Sequence, residues 1–279
     1  MGKNPIISFV IPAYNEENYI SECLESILKE ISRENIPAEI IVVNNRSTDN
    51  TLKIASKYPN VRVINEPIRG IIRARQRGFL AARGELIANI DADVRLPKNW
   101  LKKVLREFRS NKDLVCLSGP QVYQDTSLAL KSTVVMFYFM VMATYIIGRY
   151  ILDQASVVQG GNFIIKKQAL RELGGYNHHL NFYGEDVDVA TRFHKIGDIK
   201  FSLFLPVDSS ARRVAKEGLL KTALKYSSEY IAIAFFNKNL FKDYLADVRL
   251  EKNAKVTLLK TSKKEIKTLS RFFKIFSSK

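Results

Sequence analysis

Only two cysteines, Cys23 and Cys116, occur in 279 residues. No zinc-type spacing can be built from them. One falls in a helical pattern and the other in an apolar strand pattern, the places of ordinary core thiols in a reducing cytosol. Histidine is nearly as scarce. His178, His179 and His194 are not spaced as a metal site and read as structural or exposed. There is no internal repeat and no low-complexity linker. Met1 to Pro5 runs straight into an apolar strand without signal-peptide architecture, so the expected location is cytoplasmic. Acidic residues are outnumbered 28 to 44 by Lys and Arg, a formal net charge of +16. So basic a chain implies an anionic partner: nucleic acid, an anionic membrane or a phosphorylated substrate.

The basic excess is uneven. From Lys252 to Lys279 there are nine Lys/Arg against one acid, Glu265, so the last tenth of the chain carries about half of it. Apolar residues make up 46%, enough for a sizeable core.

The first half alternates two kinds of pattern. Short apolar runs at Ile6–Ile11, Glu39–Val43, Val61–Ile64 and Leu86–Ile90 predict strands. Glu16–Ile31 has helical spacing, with Ile20, Leu24, Ile27, Leu28 and Ile31 on one face. Ser47 or Thr48 is placed to cap a second helix running to about Lys57. Gly70–Arg83 predicts a third, closed by Gly84. Strand and helix alternating at this spacing predict an α/β fold, a parallel sheet with helices on both faces. Ligands of such sheets bind at the carboxyl ends of the strands. Tyr14–Glu17, Asn44–Asp49 and Asp91–Asp93 all fall there, so three loops should converge on one crevice.

Asp91-Ala92-Asp93 is the sharpest chemical signal. Two carboxylates one residue apart at the end of a buried-type strand suit one hard divalent cation, Mg²⁺ or Mn²⁺, shared with substrate phosphates. Gly160-Gly161-Asn162 marks either a tight turn or close approach of backbone to a ligand. Glu185-Asp186 opens a helical run, where a carboxylate can also serve simply as a dipole partner. Arg212-Arg213 can fork onto phosphate or be plain surface charge.

In their order these pieces resemble the inverting, nucleotide-sugar-dependent glycosyltransferases of family 2, over most of the chain from about Ile6 to Arg213. Val10 to Glu17 is similar to the family's opening nucleotide loop, and Val42 to Thr51 to its second. Ala74-Arg75-Gln76 before Gly78 is similar to the helix facing the diphosphate. Asp91-Ala92-Asp93 matches the metal motif, and Gly160-Gly161-Asn162, Gly174-Gly175-Tyr176 and Glu185-Asp186 follow in the family's order. The resemblance implies a GT-A-type, Rossmann-like sheet, mixed but mostly parallel and flanked by helices. It implies that Pro12, Ala13, Tyr14 and Glu16 contact the nucleotide and that Asn44 reads the base edge. Arg75 would face the diphosphate. Asp93 would hold the metal, with Asp91 and Ala92 beside it on the ribose or in the metal shell. Asp186 would be the catalytic base. Gly161, Asn162, Glu185, Arg212 and Arg213 would meet the acceptor or diphosphate. The cofactor would be Mn²⁺ or Mg²⁺, with a UDP-sugar favoured as donor and a GDP-sugar possible.

Three departures matter. Asn44 stands where the family usually has Asp, no clear His follows Asp186 as an additional ligand, and no Gln-x-x-Arg-Trp occurs, the only Trp being Trp100. The last argues against a processive polysaccharide synthase.

A glycosyltransferase domain over 1–215 is expected, with a nucleotide-sugar half at 5–118 and an acceptor half at 119–215. A helical, basic extension over 216–279 should follow. Within it Ile266, Leu269, Phe272, Phe273 and Phe276 recur at helical spacing among lysines, which suits an anionic membrane surface or docking on the core. Residues 132–148 carry no charge, at the short limit of a membrane span of roughly 17–25 residues. A single crossing would separate Asp93 from Asp186, so a core or interfacial helix or an acceptor-side wall is expected instead. The expected partners are a nucleotide sugar, a lipid-linked or glycan acceptor and the inner face of the cell membrane. A non-catalytic nucleotide-sugar-binding protein is the alternative. A nucleic-acid-binding protein is less favoured, because the charge sits in a tail and no nucleic-acid module is recognisable.

Overall fold

The structure, a computed structural model, describes residues 4–123, eight residues between 132 and 146, 157–177 and 185–212, with only the backbone at Glu185 and Val187. Most of the apolar stretch 132–148 lies outside the described residues, as do His178, His179, Gly184, Arg213 and the whole extension 216–279. Among the described residues no helix is long and apolar enough to cross a membrane.

In chain order the elements are β1 (Ile7–Ala13), α1 (Ile20–Glu34), β2 (Ala38–Asn44), α2 (Thr51–Ala55), β3 (Val61–Asn65), α3 (Ile71–Ala81), β4 (Leu86–Ile90), β5 (Val94–Arg95), α4 (Trp100–Ser110), β6 (Leu114–Ser118) and β7 (Gln121–Tyr123). Then come β8 (Asn162–Lys166), α5 (Lys167–Glu172), α6 (Glu185–Phe193), β9 (Asp198–Phe201) and β10 (Val207–Ser209). Seven strands form one sheet in the order β3-β2-β1-β4-β8-β6-β9. Only β8 runs antiparallel to its neighbours β4 and β6, so the sheet is mixed and mostly parallel. A small sheet, β5-β10-β7, stands beside it.

The central strands are continuous apolar runs because both of their faces are covered. Alternate residues of a strand point to opposite faces. Phe9, Ile11, Ile40 and Val42 accordingly pack with Ile20, Leu24 and Ile27 of α1 and with Trp100, Val104 and Phe108 of α4. Val10, Ile41 and Val43 pack on the other face with Ile72 and Phe79 of α3 and Val189 and Phe193 of α6. Gly78 lets α3 lie close on the sheet, since a Cβ there would come within 2.2 Å of a Val10 methyl.

One buried acid orders the α1 side. Glu30, 1% exposed, accepts from the backbone N–H groups of Asn99 (3.2 Å) and Leu101 (3.0 Å) and pairs with Arg33. It thus supplies from another helix the negative charge that the N-terminus of α4 favours.

Two helix starts differ from the sequence expectation. α1 begins at Ile20 rather than Glu16, because the Glu16 carbonyl accepts the N–H of both Tyr19 and Ile20 and closes a turn first. Neither Ser47 nor Thr48 caps α2, which begins at Thr51 after Asn50. The Ser47 hydroxyl accepts the Asn15 N–H at 3.2 Å, and the Thr48 N–H donates to Asn15 Oδ1 at 2.8 Å. Their capping chemistry is spent across two loops.

At the amino end of the sheet Glu39 accepts from the Ser8 hydroxyl (2.6 Å) and the Arg83 N–H (2.5 Å), with the Arg62 guanidinium at 3.4 Å. Burial alone would raise its carboxyl, but these partners together hold it below the ordinary value. A carboxyl depressed in the folded state stabilises the fold above its unfolded value of about 4.3, and that contribution is lost as pH falls through the folded value. Melts of Glu39→Gln against the parent chain should show a lower melting temperature at pH 7 and a gap that narrows below about pH 4. A gap independent of pH contradicts the assignment.

Candidate functional site

The loops that follow β1 and β2 interlock at the carboxyl end of the sheet. Asn15, at φ +54°, holds Ser47 and Thr48 as described above. The Glu16 N–H donates to Thr51 Oγ1 at 2.7 Å, and the Glu17 N–H to Asp49 Oδ2 at 3.1 Å. Glu17 Oε2 in turn accepts from the backbone and side-chain amides of Asn50. Tyr14 presents its ring at this edge, with the Arg69 guanidinium 4.0 Å from its centre. Asn44 is buried. Its amide donates to Asn65 Oδ1 (2.9 Å) and its carbonyl oxygen accepts the Ser47 N–H (3.2 Å). Asn45, which the sequence reading left without a role, donates to the carbonyls of Glu66 and Ile68 and accepts the Gly70 N–H at 2.7 Å. It fixes the turn that feeds α3. An Asn after a strand is too common a signal to announce that task.

The β4 loop brings the acids. Asp91 Oδ1 accepts from Arg75, whose side chain is 1% exposed, at 2.9 Å. The Arg75 guanidinium also lies over the Phe163 ring at 5.1 Å. Asp93 Oδ2 lies 3.0 Å from Arg212 Nη2. Arg212 at the same time forks onto Glu16, with both contacts at 2.6 Å, and stacks on Tyr19 at 4.8 Å. Burial works against the Arg212 charge, but Asp93 and Glu16 hold its pKa raised, so it stays a cation. Three carboxylates, Asp91, Asp93 and Glu16, therefore face two guanidinium groups, Arg75 and Arg212. Cys23 lies just beneath, its thiol 3.6 Å from the Asp91 carbonyl oxygen. Burial first, then Asp93, Asp91 and Glu16, push this thiol well up, so it is a neutral packing group and not a nucleophile.

Gly161 closes the crevice over Asp91. Its φ is +78°, and a Cβ there would come within 2.3 Å of Asp91 Oδ2. Asn162 points the other way and is fully buried, its amide donating to the carbonyls of Pro120 (3.3 Å) and Leu205 (2.9 Å). It ties the two sheets together.

α6 is anchored through its middle. Asp188 accepts from Asn177 (3.2 Å) and pairs with Arg192 (3.3 Å), and Arg192 donates to the Gly175 carbonyl (2.9 Å). The Tyr176 N–H donates to Gln76 Oε1 (2.9 Å), and the Tyr176 hydroxyl to Asn89 Oδ1 (2.8 Å). A chain of bonds thus runs from α6 through the Gly174-Gly175-Tyr176 turn to α3 and β4. Asp186 is the second residue of α6 and is half-buried; Glu185 opens the helix.

Among the described residues no group of three His, Cys, Asp or Glu side chains is arranged to hold a metal. Asp91 and Asp93 still suit a divalent ion of one kind. The Asp91 carboxylate packs close against Gly161, where a Cβ would clash with it. Mg²⁺-like ions are commonly held by one or two carboxylates, with substrate phosphates and water completing the shell.

Comparison with known proteins gives the family and the fold. The family model described as "Glycosyl transferase family 2" matches residues 8–174, more than half of the chain. A putative glycosyltransferase of Bacillus subtilis, EpsH, is 34% identical over 140 residues, 49% of this chain and 40% of its own. The chain thus spans less than half the length of that relative. Among solved structures, the Pyrobaculum calidifontis mannosyltransferase PcManGT in complex with GDP-Man and Mn²⁺ has a TM-score of 0.64 at 19% identity, over 91% of this chain and 69% of that one. S. aureus TarS in complex with UDP-GlcNAc has a TM-score of 0.56 at 18% identity, over 91% and 79%. Both share the GT-A fold.

Proposed function

Since the chain belongs to glycosyl transferase family 2, we propose that it moves a sugar from a nucleotide-diphosphate donor to an acceptor hydroxyl or phosphate with inversion at the anomeric carbon. The observation that carries this reading is the meeting of Asp91 and Asp93, at the end of buried β4, with Arg75 and with Arg212 on Glu16. That arrangement of paired acids and forked cations suits a diphosphate. Structures of the same fold that hold GDP-Man and UDP-GlcNAc support a UDP- or GDP-sugar as donor.

In this reading Pro12 and Ala13 line the nucleotide edge, the Tyr14 ring covers the base, and Asn44 offers its remaining amide proton and lone pair to the base edge. Asp93, with Asp91 beside it, would hold a Mn²⁺ or Mg²⁺ that draws negative charge from the departing diphosphate. Arg75 and Arg212 share that charge. Asp186 takes the proton from the acceptor hydroxyl as its oxygen attacks the anomeric carbon. The new bond forms on the face opposite the diphosphate, and the bond to the diphosphate breaks. Gly161 keeps the backbone low beside the acids. Glu185 and Arg213 belong to the acceptor side in this reading.

The acceptor is proposed to be lipid-linked, with the enzyme on the inner face of the cell membrane. The support is the sequence after Lys252, with nine basic residues against one acid and three Phe at helical spacing. Each Lys or Arg near an anionic surface contributes on the order of 1 kcal/mol, less at high salt.

Two substitutions separate metal from base. Asp93→Asn should lose most of the Mn²⁺-dependent part of donor affinity in calorimetry, since an amide is a poor ligand for a hard cation. Unchanged Mn²⁺-dependent affinity sinks the assignment of Asp93. Asp186→Asn should keep donor affinity within a few-fold and lower transfer by roughly 10²–10⁴-fold. Transfer near the parent rate in a folded variant moves the base elsewhere, Glu185 and Asp188 being the next candidates. For the membrane, the chain truncated after Lys252 should bind donor but sediment poorly with anionic vesicles at low salt. Equal sedimentation of truncated and full chains would show that the tail is not the anchor.

A further inference from the structure

Arg212 sits where a metal site would want no competitor. Its side chain is 11% exposed, and its Nη2 reaches Glu16 Oε1 at 2.6 Å and Asp93 Oδ2 at 3.0 Å. The two contacts are unequal. Glu16 is 3% exposed and takes the guanidinium on both oxygens at 2.6 Å, so that fork is the tighter hold. Asp93 is more exposed, at 14%, and has only the shared, longer contact. Arg212 can therefore release Asp93 while Glu16 keeps hold of it.

We infer that Arg212 is the resident cation of the donor-free crevice, and that it gives up Asp93 only when a nucleoside diphosphate arrives, so that nucleotide and divalent ion bind as a pair. This rests on the donor reading above. The charges carry the argument. Without donor, Asp93 already has a cation at hydrogen-bond distance, and a second cation must compete with it. A diphosphate adds negative oxygens to which a guanidinium fork is well matched, so Arg212 loses one anion and gains another. Arg75, 1% exposed, pairs with Asp91, and the cation that competes for Asp93 is Arg212. Arg212 arrives three residues after β10, Glu16 follows β1, and Asp93 lies between β4 and β5, so the contact joins the small sheet to the large one. Binding linkage is reciprocal, so the ion tightens nucleotide as much as nucleotide tightens the ion.

The test is Mn²⁺ binding by the full chain, followed by water-proton relaxation, with and without UDP or GDP. The parent chain should bind Mn²⁺ weakly alone and on the order of tenfold or more tightly with one of the nucleotides. Arg212→Gln should gain on the order of tenfold in nucleotide-free Mn²⁺ affinity, and its nucleotide dependence should shrink. Arg212→Lys keeps the charge without the fork and should fall between. Should Arg212→Gln lack a cooperative melt, the Lys variant decides alone: a gain supports the exchange and parity overturns it. Equal nucleotide-free affinity in parent and Arg212→Gln, with nucleotide and Mn²⁺ still binding together, overturns the exchange and leaves the donor reading standing. No Mn²⁺ binding by the parent with either nucleotide overturns the metal reading and the exchange with it.

Discussion

One guanidinium holds the crevice together. Arg212 joins Glu16, which follows β1, to Asp93, which follows β4, across 196 positions of sequence in the first case. Glu16 is 3% exposed, and the fork sets a cation against an acid held in a nearly dry place. With it, two loops of the large sheet and the end of the small sheet share one electrostatic centre. That contact fixes where Asp93 and Glu16 stand relative to each other.

The sheet makes the contact possible. In a mostly parallel sheet the carboxyl ends of β1, β2 and β4 open on the same side, so their loops must share space. The Asn15–Thr48 and Glu17–Asn50 bonds make the first two loops one rigid wall. The third wall is built from a distance, by bonds running from Asp188 and Arg192 through Tyr176 to Gln76 and Asn89. The amino end of the sheet is clamped separately by Glu39, away from the crevice. The net charge of +16 does not describe the crevice, where Asp91, Asp93 and Glu16 meet Arg75 and Arg212. The excess lies elsewhere, and nine of its basic residues follow position 251.

Much of this was legible in the sequence, for a physical reason. Strands covered on both faces must be continuously apolar, so β1 to β4 could be placed nearly to the residue, and the acids of Asp91-Ala92-Asp93 with them. What could not be read were contacts between segments. Ser47 and Thr48 carry the local signature of a helix cap, yet their partner is Asn15 from another loop. Glu16 was legible as part of a motif, but its fork with Arg212 has no periodicity to reveal it. Asn162 stood out beside two glycines, and the structure uses its amide to join two sheets. Glu30 lies on the buried side of α1, where its task is to satisfy the start of α4.

The central claim is that this crevice takes a nucleotide sugar. Calorimetric titration of the full chain with a panel of UDP- and GDP-sugars, each with and without Mn²⁺, tests it most directly. The account predicts saturable, one-to-one binding of at least one member of the panel, strengthened by Mn²⁺. A folded chain that binds none of them under either condition would contradict it.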